Sequence, residues 1–91
     1  MISVIEPATE AVLEQLPRAG ADDVDAAVAR AYEAFPAWRA VPPAERSSLL
    51  HALAAALAAN REELAVLEAR NAGKPIGDAR GEIGMVVATF R

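Results

Sequence analysis

A chain of 91 residues is long enough for one small domain, and such a domain buries only about 60–65% of the surface that its unfolded chain exposes. Alanine inflates the hydrophobic content of 54%, and only two Phe, one Tyr and one Trp are present to fill the volume of a core. A net charge of −4 with scattered basic residues excludes a nucleic-acid partner, and the lack of Cys excludes disulfides, thiolate metal sites and a cysteine nucleophile.

Residues 1–10 lack the basic start and the apolar run of a signal peptide. The most hydrophobic segment is interrupted by Glu and Arg well before twenty residues, so we expect no membrane partner. A chain without Cys is compatible with a reducing compartment, and we expect a cytoplasmic protein.

Two short apolar segments at the N-terminus, residues 3–5 and 12–16, are typical of β-strands. The turn-forming Pro7 lies between them. The sequence therefore predicts a β-hairpin over residues 3–16.

A first helix is predicted over residues 21–35, because acidic residues at its start favour the positive end of the helix dipole. Pro36 is expected to end it, and Trp38 is expected to be a mostly buried anchor in the connection that follows. The acidic residues are Asp22, Asp23 and Asp25, and the apolar face consists of Val24, Ala27, Val28, Ala31, Tyr32 and Phe35.

The strongest helical periodicity predicts a helix over residues 43–59, with Pro43 suited to the first helical position. Asn60 followed by Glu63 fits a capping box and predicts a third helix over residues 61–72. Gly73 is able to close that helix in the left-handed conformation, and Pro75 is unable to continue it. The apolar side of the second helix consists of Leu49, Leu50, Leu53 and Leu57.

A fourth helix is predicted over residues 76–91 from the helical spacing of its apolar residues. It contains Gly77, Gly81 and Gly84, each costing roughly 0.5–1 kcal/mol relative to Ala. A helix with three glycines indicates either that another backbone approaches it closely or that it needs packing contacts from outside the helix to be stable. Because the helical spacing of apolar residues continues to Arg91, we expect the chain to be part of a longer protein.

No segment carries a convincing catalytic or binding motif. Gly73 and Lys74 fail the phosphate-loop pattern, since Glu68 and Pro75 stand where Gly and Ser or Thr are required. The lone His51 has no acidic residue four positions away and is expected at the surface. The acidic pairs fall at predicted helix starts, where capping and solvation explain them. Residue chemistry alone predicts a soluble hairpin followed by helices, without a functional site.

The ordered set of residues nevertheless resembles the N-terminal segment of the aldehyde dehydrogenase superfamily over nearly the whole chain. Residues 4–9, Val-Ile-Glu-Pro-Ala-Thr, are similar to that family's V-x-N-P-A-T opening, with Glu6 in place of the commoner Asn. The other matching segments are residues 23–28, 34–38 and 43–46, the leucine-rich helix, residues 73–75 and the helix that reaches Arg91.

The resemblance implies an α/β fold of the aldehyde dehydrogenase type for the complete protein. Residues 1–91 would be the mostly α-helical N-terminal part of its cofactor-binding domain, truncated before the catalytic region. The implied reaction oxidises an aldehyde to a carboxylic acid with NAD or NADP, through a thiohemiacetal and a thioester on an enzyme cysteine. That family's catalytic and cofactor-binding residues lie downstream, so none carries over.

We therefore expect this chain alone to be inactive and to bind no NAD or NADP. It would act as a scaffold for the remainder of the enzyme, which is expected to form dimers or tetramers. Some members of the family hold a monovalent cation, and the resemblance places its ligands at the carbonyls of Val4 and Ile5 and the carboxylate of Glu82. The alternative for Glu82 is a solvated helix carboxylate. The alternative for the whole chain is a free-standing helical interaction module without enzymatic activity.

Overall fold

An antiparallel hairpin precedes four helices in the computed structural model, which describes residues 1–91. The elements are β1 (Ile2–Ile5), β2 (Val12–Leu16), α1 (Ala21–Ala40), α2 (Pro43–Ala59), α3 (Arg61–Ala72) and α4 (Ile76–Thr89). The predicted hairpin and four helices are thereby confirmed. The bounds of α2 and α3 coincide with the predicted ones, and α4 ends at Thr89 rather than at Arg91.

The prediction that Pro36 ends the first helix is wrong, because α1 continues to Ala40 with Pro36 inside it. Inside a helix, proline lacks the N–H that would donate to the carbonyl four residues earlier, that of Tyr32, and its ring crowds the same carbonyl. Tyr32 is 81% exposed, so water can satisfy that carbonyl. At the other end, the Gly20 N–H donates to Asp23 Oδ2 at 2.8 Å, as the acidic helix start led us to expect.

The predicted capping box between Asn60 and Glu63 is also wrong. Asn60 does precede α3, but its side-chain Nδ2 donates backward to the Ala56 carbonyl at 2.8 Å and makes no bond to the first turn of α3. The Asn60 N–H likewise points back to carbonyls of α2. Asn60 therefore closes α2, because its backbone N–H and its side chain both donate to carbonyls of the last turn of that helix.

The hairpin pairs Val4 with Glu14 and Ile5 with Val12, with a bulge between Val4 and Ile5. Its turn meets the end of α3, where Gly73 takes the predicted left-handed conformation with φ of +74°. A Cβ atom on Gly73 would lie 3.3 Å from Pro7 Cβ. Gly73 thus serves both to end α3 and to admit the hairpin turn.

Replacing Gly73 with Ala is expected to cost about 1–2 kcal/mol, because an L-residue is strained in the left-handed region. We expect faster hydrogen exchange of the amides in the last turn of α3 and the hairpin turn. The matched control is Gly77→Ala, since the space around Gly77 is open and the helix should gain roughly 0.5–1 kcal/mol. Equal exchange rates in the two variants would contradict this assignment.

The buried core is very small and consists of Ala54, Ala65, Ala79 and Val87. These residues lie where α4 packs against α2 and α3, and we call these three helices the helical array. The whole chain is flat, measuring 47 × 35 × 14 Å. Trp38 is 46% exposed, so the prediction that it is mostly buried is wrong; no other element of the chain covers α1.

Candidate functional site

The most prominent surface is an apolar stripe along α1, which we call the α1 stripe. It consists of Val24, Val28, Ala31, Phe35 and Trp38. No residue of α1 is buried, and Phe35 remains 56% exposed. Contiguous apolar surface of this kind marks a contact site in a soluble protein, because single exposed apolar residues are ordinary but an uncovered helix face is not.

A second apolar surface is an open groove of about 660 Å³ between the hairpin and α3, which we call the hairpin groove. Val4 and Leu13 of the hairpin face α3 across it, and Ile83 of α4 contributes to its lining. The remaining lining residues are Glu14, Leu64, Leu67, Glu68, Arg70 and Asn71. Its apolar floor and charged rim suit a protein side chain or segment better than a charged small molecule.

Glu6 ties the hairpin turn to α3. Its Oε1 accepts a hydrogen bond from Arg70 Nε at 3.0 Å, and its Oε2 accepts one from the Thr9 hydroxyl at 2.8 Å. The hydrogen bond from Thr9, followed by that from Arg70, lowers the pKa of the Glu6 carboxyl below its usual value. Glu6 thus braces the turn at the position where the resembling family commonly has Asn.

Lys74 lies between two carboxylates at the junction of α3 and α4. Its Nζ donates to Glu82 Oε2 and lies 3.5 Å from Glu68 Oε1. The hydrogen bond to Glu82 is the main cause that raises the pKa of Lys74 above its usual value. The Lys74 ammonium therefore neutralises acidic residues from both helices.

A second set of charged contacts joins α3 to α4. The Arg80 guanidinium donates to both oxygens of Glu62, at 2.7 and 3.0 Å, and Arg61 donates to the Arg80 carbonyl at 2.9 Å. The hydrogen bond from Arg80 lowers the pKa of Glu62. Exposed pairs add little to stability, so their main effect is to fix the alignment of the two helices. Sequence analysis missed this pair because its members lie 18 residues apart in different helices.

The proposed ligands of a monovalent cation are distributed over two elements. Val4 and Ile5 lie in β1, and Val4 lines the hairpin groove. Glu82 lies in α4, beside Met85, Val86 and Thr89 in a different, shallower groove. Its Oε2 already accepts from Lys74, so the residues present do not favour a metal ion here. The cation site stays a prediction.

The remaining titratable residues form no catalytic arrangement. His51 is exposed on α2, as expected, and makes no side-chain hydrogen bond. No group of three or more His, Cys, Asp or Glu residues is placed to hold a metal ion. None of the four helices combines the length and the apolar character required to cross a membrane.

Comparison with known proteins identifies the family. The sequence model of the aldehyde dehydrogenase family matches residues 1–91. The chain is 39% identical over 94 residues to aminoaldehyde dehydrogenase 2 of Zea mays, covering 98% of this chain and 19% of that protein. It is 42% identical over 87 residues to a probable aldehyde dehydrogenase of a Pseudomonas species, covering 96% of this chain and 18% of that protein.

A solved structure shares the fold as well as the sequence. It is the NADP complex of the glyceraldehyde-3-phosphate dehydrogenase GapN from Methanocaldococcus jannaschii DSM 2661, to which this chain is 29% identical with a TM-score of 0.93. The match covers 99% of this chain and 20% of GapN. The chain spans about a fifth of the length of the relatives that it matches. Matched over its whole length by the family's sequence model, the chain belongs to the aldehyde dehydrogenase family.

Proposed function

We propose that residues 1–91 are the N-terminal scaffold of the cofactor-binding domain of an NAD- or NADP-dependent aldehyde dehydrogenase. The observation that carries this proposal is the flat shape with its uncovered apolar surfaces. A domain is built from packed layers that bury each other's apolar faces. Here the helical array and the hairpin present such faces without a covering layer.

Two measurements quantify the missing contacts. The radius of gyration is 17.2 Å, whereas a compact domain of 91 residues has one of about 12 Å. The accessible surface is 6859 Å², whereas a compact monomer of this mass exposes roughly 5000 Å². The excess of roughly 1800 Å² exceeds the area of about 800 Å² that one partner contributes to an ordinary interface. The excess therefore supports extensive docking on further protein.

Two features of the hairpin and the helical array suit such docking. The hairpin groove offers an apolar floor next to charged residues that can hold a polar rim. Gly77 and Gly81 leave open space along one side of α4, because a Cβ atom added to either glycine would have no contact within 4 Å. Another backbone can therefore approach α4 closely, which accounts for the cost of placing glycine in that helix.

The chemistry of the complete enzyme must come from outside these residues. A chain without Cys supplies no thiolate for a thioester intermediate, so the nucleophile belongs to the remainder of the protein. We propose that the general base and the cofactor site lie there as well. The proposed cofactor is NAD or NADP, and NADP is the one bound in the GapN structure. We further propose a cytoplasmic enzyme that assembles into dimers or tetramers.

A chimera tests the scaffold proposal. Residues 1–91 replace the matching segment of the maize aminoaldehyde dehydrogenase, and oxidation of an aminoaldehyde is measured with NAD and with NADP. We expect the chimera to fold and to retain activity within about tenfold of the parent, since the two segments are 39% identical and exchanges that conserve the volume of apolar side chains are tolerated. An insoluble or inactive chimera would contradict the proposal.

The substitution Leu67→Asp separates docking from local folding. Leu67 lines the hairpin groove and is 53% exposed, so the variant should leave the helix content of the isolated chain unchanged. In the chimera the same substitution buries an unpaired carboxylate and should abolish soluble assembly. Ala58→Asp, on an exposed position of α2, is the matched control. A fully active Leu67→Asp chimera would show that the groove is not a docking surface.

A further inference from the structure

Lys74 is the only lysine among the nine basic residues of the chain, and all the others are arginines. Guanidinium groups stay protonated throughout the physiological pH range, so they are poor nucleophiles. The Lys74 side chain and the α-amino group of Met1 therefore carry the only primary amines of these residues. Among the side chains, Lys74 is the one that can form a Schiff base.

An amine reacts with an aldehyde in two steps. The nitrogen lone pair attacks the carbonyl carbon and a proton passes from nitrogen to the carbonyl oxygen, which gives a carbinolamine; loss of water then leaves an imine. An ammonium group has no lone pair and does not react. The rate at which a lysine is modified therefore follows the fraction of its side chain that is neutral.

The connection between α3 and α4 places Lys74 between two carboxylates. Gly73 turns the backbone at the end of α3, and Pro75 precedes the first residue of α4. Glu68 of α3 and Glu82 of α4 approach the ammonium from different helices: Nζ donates to Glu82 Oε2 and lies 3.5 Å from Glu68 Oε1. The Lys74 side chain keeps only 26% of its exposure, so these contacts also restrict access to the nitrogen.

Both carboxylates favour the charged form of the amine. The hydrogen bond to Glu82 is the largest cause of the raised pKa of Lys74, and the contact with Glu68 acts in the same direction. The negative end of the α3 dipole, next to Lys74 in the chain, favours the same charge. Well below the pKa, a rise of one in pKa lowers the neutral fraction about tenfold.

From this arrangement we propose that Glu68 and Glu82 protect the only ε-amino group of the chain from modification by aldehydes. The need for such protection rests on the proposed function, since a complete aldehyde dehydrogenase works in the presence of its aldehyde substrates. The two carboxylates keep the Lys74 nitrogen protonated and occupy directions from which an aldehyde would approach it. An imine at Lys74 would place an alkyl chain in the junction and weaken the base that joins α3 to α4.

Reductive alkylation of the 91-residue chain with propanal and sodium cyanoborohydride tests the proposal, because hydride converts each imine into a stable secondary amine. Mass spectrometry of peptides gives the rates at Lys74 and at Met1, whose α-amino group forms no ion pair and serves as an internal reference. Relative to Met1, we expect Lys74 to react about tenfold more slowly in the folded chain than in the chain unfolded by guanidinium chloride.

Glu82→Gln removes the closer carboxylate at nearly constant side-chain size and should accelerate the modification of Lys74 about three- to tenfold. Glu68→Gln should have a smaller effect, because its contact with Lys74 is longer. The matched control is Asp78→Asn, which removes the same charge from an exposed position in the first turn of α4 that forms no ion pair with Lys74. The control should leave the rate within about twofold.

The pH dependence of the reaction gives a second readout. The rate rises as the pH approaches the pKa of the amine, and because the carboxylates raise the pKa of Lys74, the rise should come at higher pH in the unaltered chain than in Glu82→Gln. Circular dichroism checks that the variants keep their helix content, and the comparison of folded with unfolded chain needs no variant.

Equal relative rates at Lys74 in the folded and unfolded chains would overturn the proposal, as would a folded Glu82→Gln variant that reacts no faster than the unaltered chain. An insoluble or inactive chimera would contradict the scaffold proposal without changing these rates. The two proposals therefore fail on different measurements.

Discussion

Heating the isolated chain, at a concentration where it is monomeric, should produce a broad and shallow loss of helical circular dichroism. Only four of 91 residues are buried, and three of them are alanines, so few tertiary contacts make the helices unfold together. A compact domain of this length would have an unfolding enthalpy of roughly 60 kcal/mol. We expect a van't Hoff enthalpy of less than roughly half that value.

The matched comparison is the same segment within the chimera, where the covering layer is present and a steep transition is expected. Calorimetry of both samples gives the ratio of van't Hoff to calorimetric enthalpy directly. A steep transition of the isolated monomer, at a temperature independent of concentration, would show that these residues form a self-sufficient domain. It would argue against the scaffold proposal.

The second large effect is expected for Ala65→Leu. Ala65 is fully buried in α3, within the helical array, as are Ala54 in α2 and Ala79 in α4. Their small side chains let the helices approach closely, and extra methylene groups in such a contact cost about 1–3 kcal/mol. Hydrogen exchange of α3 and α4 amides should accelerate roughly ten- to hundredfold, a measurement that does not require cooperative unfolding.

Ala58→Leu is the control for this substitution, because Ala58 lies exposed on α2 and the added side chain meets solvent. The exchange rates of the control should match those of the unaltered chain within about twofold. If Ala65→Leu behaved like the control, the helical array would be too loosely packed to define the surface that we propose for docking.

Local signals predicted most of the architecture. Pro43 and Gly73 define helix ends through fixed backbone preferences, and both helix bounds agree with the structure. The prediction that Pro36 ends the first helix was wrong because a solvent-facing proline can be accommodated within an exposed helix. The prediction for Asn60 was wrong because its side chain can bond either to the end of α2 or to the start of α3. The sequence alone does not show which of the two bonds is more favourable.

Contacts between elements were less accessible to sequence reasoning. The pairs Glu6–Arg70 and Glu62–Arg80 depend on how the hairpin and helices are arranged, and no periodicity relates their members. The prediction that Trp38 is buried rested only on the large size of its apolar side chain. Burial depends on a partner surface as well, and nothing in the chain covers α1.

The Glu6–Arg70 contact has a consequence for the order of events during synthesis. Its members are 64 residues apart, so at about 5–20 residues per second the hairpin waits roughly 3–13 s on the ribosome before Arg70 is made. The contacts between α3 and α4 join neighbours and can form as soon as both have emerged. Once the nascent hairpin has left the ribosome, its apolar side faces solvent until α3 has also emerged, and it is then exposed to chaperones and to other nascent chains.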